Sequence, residues 1–492
     1  MTLTFLRVLS VVVGIIGTTF LLPIAVALAY GEKAVVPSFL IPMIASWLLS
    51  AILLMVKRRR KATLTTRSAF ALVACSWCAA SLFGAIPLYF SGAIPNVIDA
   101  IFESISGFTT TGATIVASVE DLPRSINLWR CQTHWLGGMG IVALTVALLP
   151  MLGIGGFRLI KAETTGPEKG KLTPKITNTA KALWFIYFGM TLLQVILLKV
   201  AGMDIVDAIS HAFSTLGTGG FSSRNASIAA FHSPAIDWIC TIFMFLASIN
   251  FSLYFFLIFR QFKALRENSE LKGFLLIVLV AVGLTTVANI TQYDGFLESL
   301  RYGAFQVMSI LSTTGFATAD YTTAIAQGTG LNRVVWAPLA QLVFFAVFFI
   351  GGCAGSTGGG FKVIRWVVLG KAFHNEVLQT LHPHGVFTIR INGKPARIEI
   401  VHTVAAFLFI YAILVGITSI AGALAGLDVF TAFTGSLSMM GNVGPAFGTL
   451  GPSNTCAPLP HGLKALYSFI MLAGRLEIYT MILYFSPAFW KK

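Results

Sequence analysis

Four serines are each followed six residues later by a glycine: Ser106 by Gly112, Ser214 by Gly220, Ser309 by Gly315 and Ser438 by Gly444. The surrounding stretches, SGFTTTGAT, STLGTGGFS, SILSTTGFA and SLSMMGNVGP, are small-residue turns that cannot stay helical. They offer carbonyl and hydroxyl oxygens at Thr110-Thr111-Gly112, Thr218-Gly219-Gly220, Thr313-Thr314-Gly315 and Asn442-Val443-Gly444, with no carboxylate among them. Divalent cations are usually held by carboxylates, so a cage of neutral oxygens suits a monovalent cation. Potassium, the more easily dehydrated of the common alkali cations, is the favoured ion.

Short helices must position these oxygens. The first two copies open with Asp99-Ala100-Ile101 and Asp207-Ala208-Ile209, and an apolar run of two to three turns leads from there to the serine, far too short to span a bilayer. Each unit reads as span, half-helix, turn, span. Gly112, Gly220, Gly315 and Gly444 end stretches in which chain reversal needs positive φ. Irregular backbone at membrane depth survives only inside protein or along a water-filled cavity, a condition met if the four turns converge on one axis. Helix C-termini aimed at that axis add partial negative charge there. The alternative, that small residues merely let membrane helices pack closely, accounts for one copy better than for four.

The whole chain fits a bilayer: 56% of its 492 residues are hydrophobic and 11% are charged, and the mean hydropathy is +0.82. A span needs roughly 20 apolar residues. About ten such runs are expected, near 6 to 29, 37 to 56, 68 to 90, 128 to 152, 182 to 201, 236 to 259, 273 to 291, 335 to 370, 399 to 425 and 463 to 487. The first run flows into the second without a cleavage-site pattern and is expected to remain as a helix. Although the net charge is +15, the basic residues cluster at 57 to 61, 158 to 181, 260 to 272 and 362 to 397, on alternate connections. That is membrane topology rather than nucleic-acid binding, and it places these segments and both termini in the cytoplasm. All four turns then enter from the outer face.

A fifth irregular element, Gly351-Gly352-Cys353-Ala354-Gly355-Ser356-Thr357-Gly358-Gly359-Gly360, interrupts the run from 335 to 370. It lacks the G-K-[ST] ending of a phosphate loop and the pattern of a nucleophile elbow. Its glycines suit a movable obstruction, a gate beneath the filter, or else a static kink. Arg475 and Glu477 lie inside the last run, where charge is costly. Arg475 is expected to face the pathway or brace the broken span, with Glu477 bonded elsewhere. Glu103, Arg130 and His134 are expected to brace the first turn, and His211 to be a satisfied packing residue. Five cysteines sit in or beside apolar runs and only Cys456 is expected to be exposed; Cys75 and Cys78 have zinc-like spacing but no further ligands, so no transition-metal site is assigned.

The motifs FTTTGAT at 108 to 114, WLGGMGI at 135 to 141, GTGGFS at 217 to 222, STTGF at 312 to 316, GGCAGSTGGGFKVIR at 351 to 365 and GRLEIYT at 474 to 480 carry a resemblance that runs end to end. The chain resembles the TrkH/TrkG branch of the Trk/Ktr/HKT cation transporter superfamily. The resemblance implies an all-α polytopic fold of four M1-P-M2 units around one pore. Two helices precede them in residues 1–65, and the units occupy 66–157, 158–264, 265–390 and 391–492, with pore loops at 99–114, 207–222, 302–318 and 431–447. It carries the filter glycines onto Gly112, Gly220, Gly315 and Gly444, the gating loop onto residues 351–360, including Gly351, Gly352, Gly355, Ser356, Thr357, Gly358, Gly359 and Gly360, and the pore-facing arginine onto Arg475. It further implies a homodimer and a TrkA-like cytosolic subunit that binds NAD and ATP, docking on segments 158 to 181 and 362 to 397; no nucleotide motif or other cofactor site is expected on this chain.

The leading expectation is gated potassium uptake across the bacterial inner membrane, with channel and symporter activity both open. A sodium-coupled or sodium-selective transporter is the alternative, although inverted repeats would be usual there and four parallel ones are seen. An intramembrane enzyme would need a nucleophile with its base, paired carboxylates or a metal, and none assembles.

Overall fold

The computed structural model describes residues 3–56, 66–140, 176–321, 336–396 and 399–478, with positions 481 and 487. The basic run 57–61, most of the segment 158–181, Arg397 and the terminal lysines lie outside the described residues, as do 479 and 480 of the last motif.

The helices, in order, are α1 (Leu3–Thr19), α2 (Leu21–Ala29), α3 (Val36–Met55), α4 (Thr66–Phe90), α5 (Val97–Phe108), α6 (Arg124–Gly138), α7 (Ile176–Val200), α8 (Ile205–Leu216), α9 (Pro234–Ser248), α10 (Phe251–Ile258), α11 (Phe262–Glu267), α12 (Ser269–Asn289), α13 (Phe296–Leu311), α14 (Pro338–Val347), α15 (Val363–Leu381), α16 (Glu399–Leu424), α17 (Val429–Gly441) and α18 (His461–Arg475). A hairpin, β1 (Arg390–Ile391) with β2 (Lys394–Pro395), sits between α15 and α16.

Among the described residues six stretches are helical, long and apolar enough to cross a membrane, and α9 with α10, bent by 93°, forms a seventh candidate. The chain is a multi-pass membrane protein. Hydropathy alone anticipates ten runs; of the three not counted, two contain a break in the helix and one extends beyond the described residues. The run from 335 to 370 is α14 and α15 separated by non-helical residues 351–360, and the last run leaves the helix after Arg475. The run from 128 to 152 holds α6, which ends at Gly138, and is described only to Gly140.

The short helices α5, α8, α13 and α17 are the half-helices expected from sequence. Their starts are fixed by local chemistry: the side chains of Asn96, Asp204 and Asp428 accept backbone N–H groups at the first turns of α5, α8 and α17, the usual N-cap role of these residue types. The third begins after Gly295 at φ 107° without a side-chain cap. Each short helix packs against the helix before it and the helix after it. In addition α8 packs on α6, α13 on α9, and α5 on α18, so the first unit meets the last. All six cysteines are unbonded, and Cys456, expected to be exposed, is buried. The segment 453–456 folds inward: the Cys456 N–H donates to the Thr114 carbonyl at 2.7 Å.

Candidate ion filter and intramembrane gate

Each short helix ends the same way. The carbonyl of the recurring serine accepts the N–H five residues on: Ser106 from Thr111 at 2.9 Å, Ser214 from Gly219 at 2.8 Å, Ser309 from Thr314 at 2.9 Å and Ser438 from Val443 at 2.9 Å. This is the outer bond of a Schellman cap. The residue that must turn left-handed is Thr110 (φ 56°), Thr218 (52°), Thr313 (59°) or Asn442 (55°), and two residues on the glycine is left-handed again, at 80°, 82°, 81° and 95° for Gly112, Gly220, Gly315 and Gly444. The glycines were legible in the sequence; the left-handed threonines were not, because β-branched residues rarely adopt that conformation.

The four turns form a closed ring. A Cβ built on Gly112 would lie 2.0 Å from the Gly219 carbonyl oxygen, one on Gly220 2.0 Å from that of Thr314, one on Gly315 2.2 Å from that of Val443, and one on Gly444 2.3 Å from that of Thr111. The last contact returns to the first loop. Only glycine permits both this approach and this φ. The Asn442 Nδ2 adds a bond across the closure, donating to Thr111 Oγ1 at 3.0 Å and to the Met471 carbonyl at 2.9 Å. All four glycines line one cavity of about 140 Å³ that also reaches Ser222, Arg224, Ser453 and Asn454. Its lining includes no carboxylate among the described residues.

Residues 351–360 pack against one side of the ring. The Gly359 N–H donates to Thr313 Oγ1 at 2.6 Å. A Cβ on Gly359 would lie 2.5 Å from the Gly441 carbonyl oxygen, and one on Gly358 would lie 2.9 Å from that of Ser312. The opposite side of the loop is pinned at the α9–α10 bend, where Cys353 N–H donates to the Ser248 carbonyl at 2.9 Å and the Thr357 hydroxyl to that of Ala247 at 3.1 Å. Arg475 joins the loop to the first unit: one guanidinium nitrogen donates to the Thr357 carbonyl at 2.7 Å, another to those of Gly137 at 2.7 Å and Gly138 at 2.9 Å. It braces the broken span, as one of the two sequence expectations had it. Glu477 pairs instead with Arg365 on α15.

A profile of the TrkH family, described as cation transport protein, matches residues 36–492. The Trk system potassium uptake protein TrkH of Halomonas elongata is 36% identical over 492 residues, with 99% of both chains covered. The TrkG protein of Escherichia coli K12 is 34% identical, covering 95% of this chain and 94% of its own. The crystal structure of the potassium transporter TrkH from Vibrio parahaemolyticus superposes with a TM-score of 0.84 at 32% identity, over 100% of both chains. The chain belongs to the TrkH cation transport family. Membership in TrkH places it among transporters rather than enzymes.

In this member of the TrkH family the remaining expected residues take bracing positions. Glu103 and Arg130 form a fully buried ion pair at 2.7 Å, and the Glu103 carboxylate also accepts the Thr114 hydroxyl and the Ile115 N–H, each at 2.9 Å. The His134 Nε2 accepts the Phe221 N–H at 3.3 Å, and its ring fills the space beside Gly219, where a Cβ would lie 1.9 Å from Nδ1. His211 is satisfied by the Asp207 carbonyl at 2.7 Å and Ser222 Oγ at 2.8 Å. Lys362 and Arg365, which the sequence groups with a cytoplasmic basic stretch, are buried instead. Lys362 Nζ donates to the Gly358 carbonyl. Glu270, which the sequence reading passed over, is buried at the start of α12, and its Oε1 accepts the N–H of Ala354 at 2.7 Å and of Ile364 at 3.1 Å. A charge a few residues before an apolar run reads as a membrane flank, so nothing local marked Glu270.

Proposed function

We propose that the chain is the pore-forming subunit of a potassium uptake system in a bacterial inner membrane, with dehydrated ions held by Thr110, Thr111, Gly112, Thr218, Gly219, Gly220, Thr313, Thr314, Gly315, Asn442, Val443 and Gly444. The observation that carries this reading is the closed ring of four carboxylate-free turns around one cavity. A ring of backbone oxygens can replace the hydration shell of a monovalent cation, and the C-terminal ends of α5, α8, α13 and α17 add negative potential there. The names of the relatives, potassium uptake proteins and a potassium transporter, support the choice of ion.

The chain divides at 1–65, 66–157, 158–264, 265–390 and 391–492 into two leading helices and four M1-P-M2 units, ten crossings in all, three of them interrupted. Both termini lie in the cytoplasm. Residues 351–360, with Arg475, form the gate. The chain works as a homodimer without a cofactor of its own, and a cytosolic subunit binding NAD and ATP sets its opening.

Complementation tests the reading. A bacterium lacking potassium uptake, supplied with a compatible regulatory subunit, grows at low external potassium when it carries the wild-type chain and fails with Gly112→Ser or Gly315→Ser at equal membrane insertion. Failure of the inserted wild type overturns the proposal. Growth that tracks sodium instead reassigns the ion.

A further inference from the structure

Glu270 reaches both limbs of the 351–360 loop. Its single oxygen Oε1 accepts N–H groups from Ala354, inside the loop, and from Ile364, just past its end. One carboxylate therefore fixes the separation of the two limbs. Both bonds lie in a buried site, where an amide left without its acceptor is costly.

The residue before Glu270 is held from the cytosolic side by a different element. Ser269 N–H donates to Asn392 Oδ1 at 2.8 Å, and Asn392 N–H donates back to Ser269 Oγ at 3.1 Å. Asn392 and Gly393 form the turn of the Arg390–Pro395 hairpin, with φ of 50° and 76°. Two left-handed residues in an Asn-Gly turn are the signature of a tight type I′ hairpin. Lys371 Nζ, from α15, donates to the Arg390 carbonyl at 2.5 Å, so the hairpin is also tied to the helix that leaves the loop. Gly393, Lys394 and Pro395 are exposed.

We propose that the Arg390–Pro395 hairpin, Ser269 and Glu270 form a relay that passes force from the cytosolic surface to the limbs of the 351–360 loop. Pulling the hairpin away from α12 displaces Ser269, tilts Glu270 and releases the Ala354 and Ile364 amides. Glu270 acts here as a positioning residue, and the hairpin is its handle. The regulatory meaning rests on the gate assigned above, but the mechanical coupling stands on these bonds alone.

Hydrogen exchange on the full-length protein in nanodiscs tests the coupling, with potassium flux in liposomes as the second readout. Asn392→Gly permits the left-handed backbone and removes the side-chain amide, with the Oδ1 that Ser269 N–H donates to; Asn392→Asp restores that acceptor. With Asn392→Gly, amide exchange in peptides covering 351–365 accelerates about tenfold, as loss of roughly one hydrogen bond to a local opening equilibrium requires, and Asn392→Asp returns it to the wild-type rate. Unchanged exchange in 351–365 with Asn392→Gly overturns the relay, whatever the flux. A wild type that passes no potassium overturns the functional assignment instead, and leaves the exchange result to decide the relay. Glu270→Gln, which retains Oε1, keeps exchange near wild type, while Glu270→Ala accelerates it at least as much as Asn392→Gly. Should Glu270→Ala fail to fold, the Asn392 pair still decides.

Discussion

Thr110, Thr218, Thr313 and Asn442 carry the strained conformation on which the ring depends. A left-handed non-glycine residue costs about 1–2 kcal/mol, least for asparagine, and such strain persists only where surrounding bonds over-determine it. Here the serine carbonyls and neighbouring loops do so. Asn442 departs from threonine at the position where asparagine is the easiest substitute, and its amide uses the change to bind Thr111 Oγ1. The spacing of the serines and glycines was readable because it recurs, whereas Glu270 and Lys362 occur once each and their partners are distant in sequence. Two predictions belong at this scale. Gly220→Ala places a methyl 2.0 Å from the Thr314 carbonyl oxygen at φ 82°, so potassium uptake falls more than about tenfold, the factor of a ~1.4 kcal/mol penalty, as measured by rubidium-tracer influx at matched expression. Arg130→Met strands the Glu103 carboxylate in a site where the pair is almost fully buried. It lowers stability by about 3–5 kcal/mol, seen as a lower thermal midpoint in detergent, and the double variant with Glu103→Leu recovers most of the loss.

At the scale of elements, the half-helices were legible because an apolar segment of two to three turns followed by glycine and threonine has few other uses in a membrane protein. The break inside the last run was not, since Gly474-Arg475-Leu476-Glu477 preserves apolar character on both sides. Only the packing shows the helix ending at Arg475, with its guanidinium spread over three carbonyls. The loop 351–360 is held by contacts from four directions: the third turn, the α9–α10 bend, Arg475 and Glu270. Weakening any of these favours its displacement. Deleting residues 355–358 raises potassium flux into liposomes, and Arg475→Gln raises it by a smaller factor while the potassium-to-sodium ratio stays near wild type, because the ring is untouched. Lower or unchanged flux in well-folded protein removes the gating role.

For the whole molecule, composition identified a membrane protein and the alternation of basic connections supplied an orientation. Hydropathy registers apolar content and is blind to backbone interruption: among the described residues six helical stretches are continuous candidates, and the seventh, α9 with α10, is bent by 93°. The orientation is testable with single cysteines in a background lacking native ones. A membrane-impermeant maleimide added outside labels Gly92→Cys and Asn454→Cys, and labels His384→Cys only after the membrane is opened. The ring has a further consequence. Each glycine leans on the carbonyl of the next turn and the fourth leans on the first, so the four copies cannot diverge independently. Substitutions in neighbouring turns should couple in double-mutant cycles, while those in turns facing across the axis should add. Each turn is thereby locked to its two neighbours, and the genetic mark of this architecture is a cyclic pattern of paired tolerance in which a damaging change in one turn is rescued from the adjacent turn and not from the opposite one.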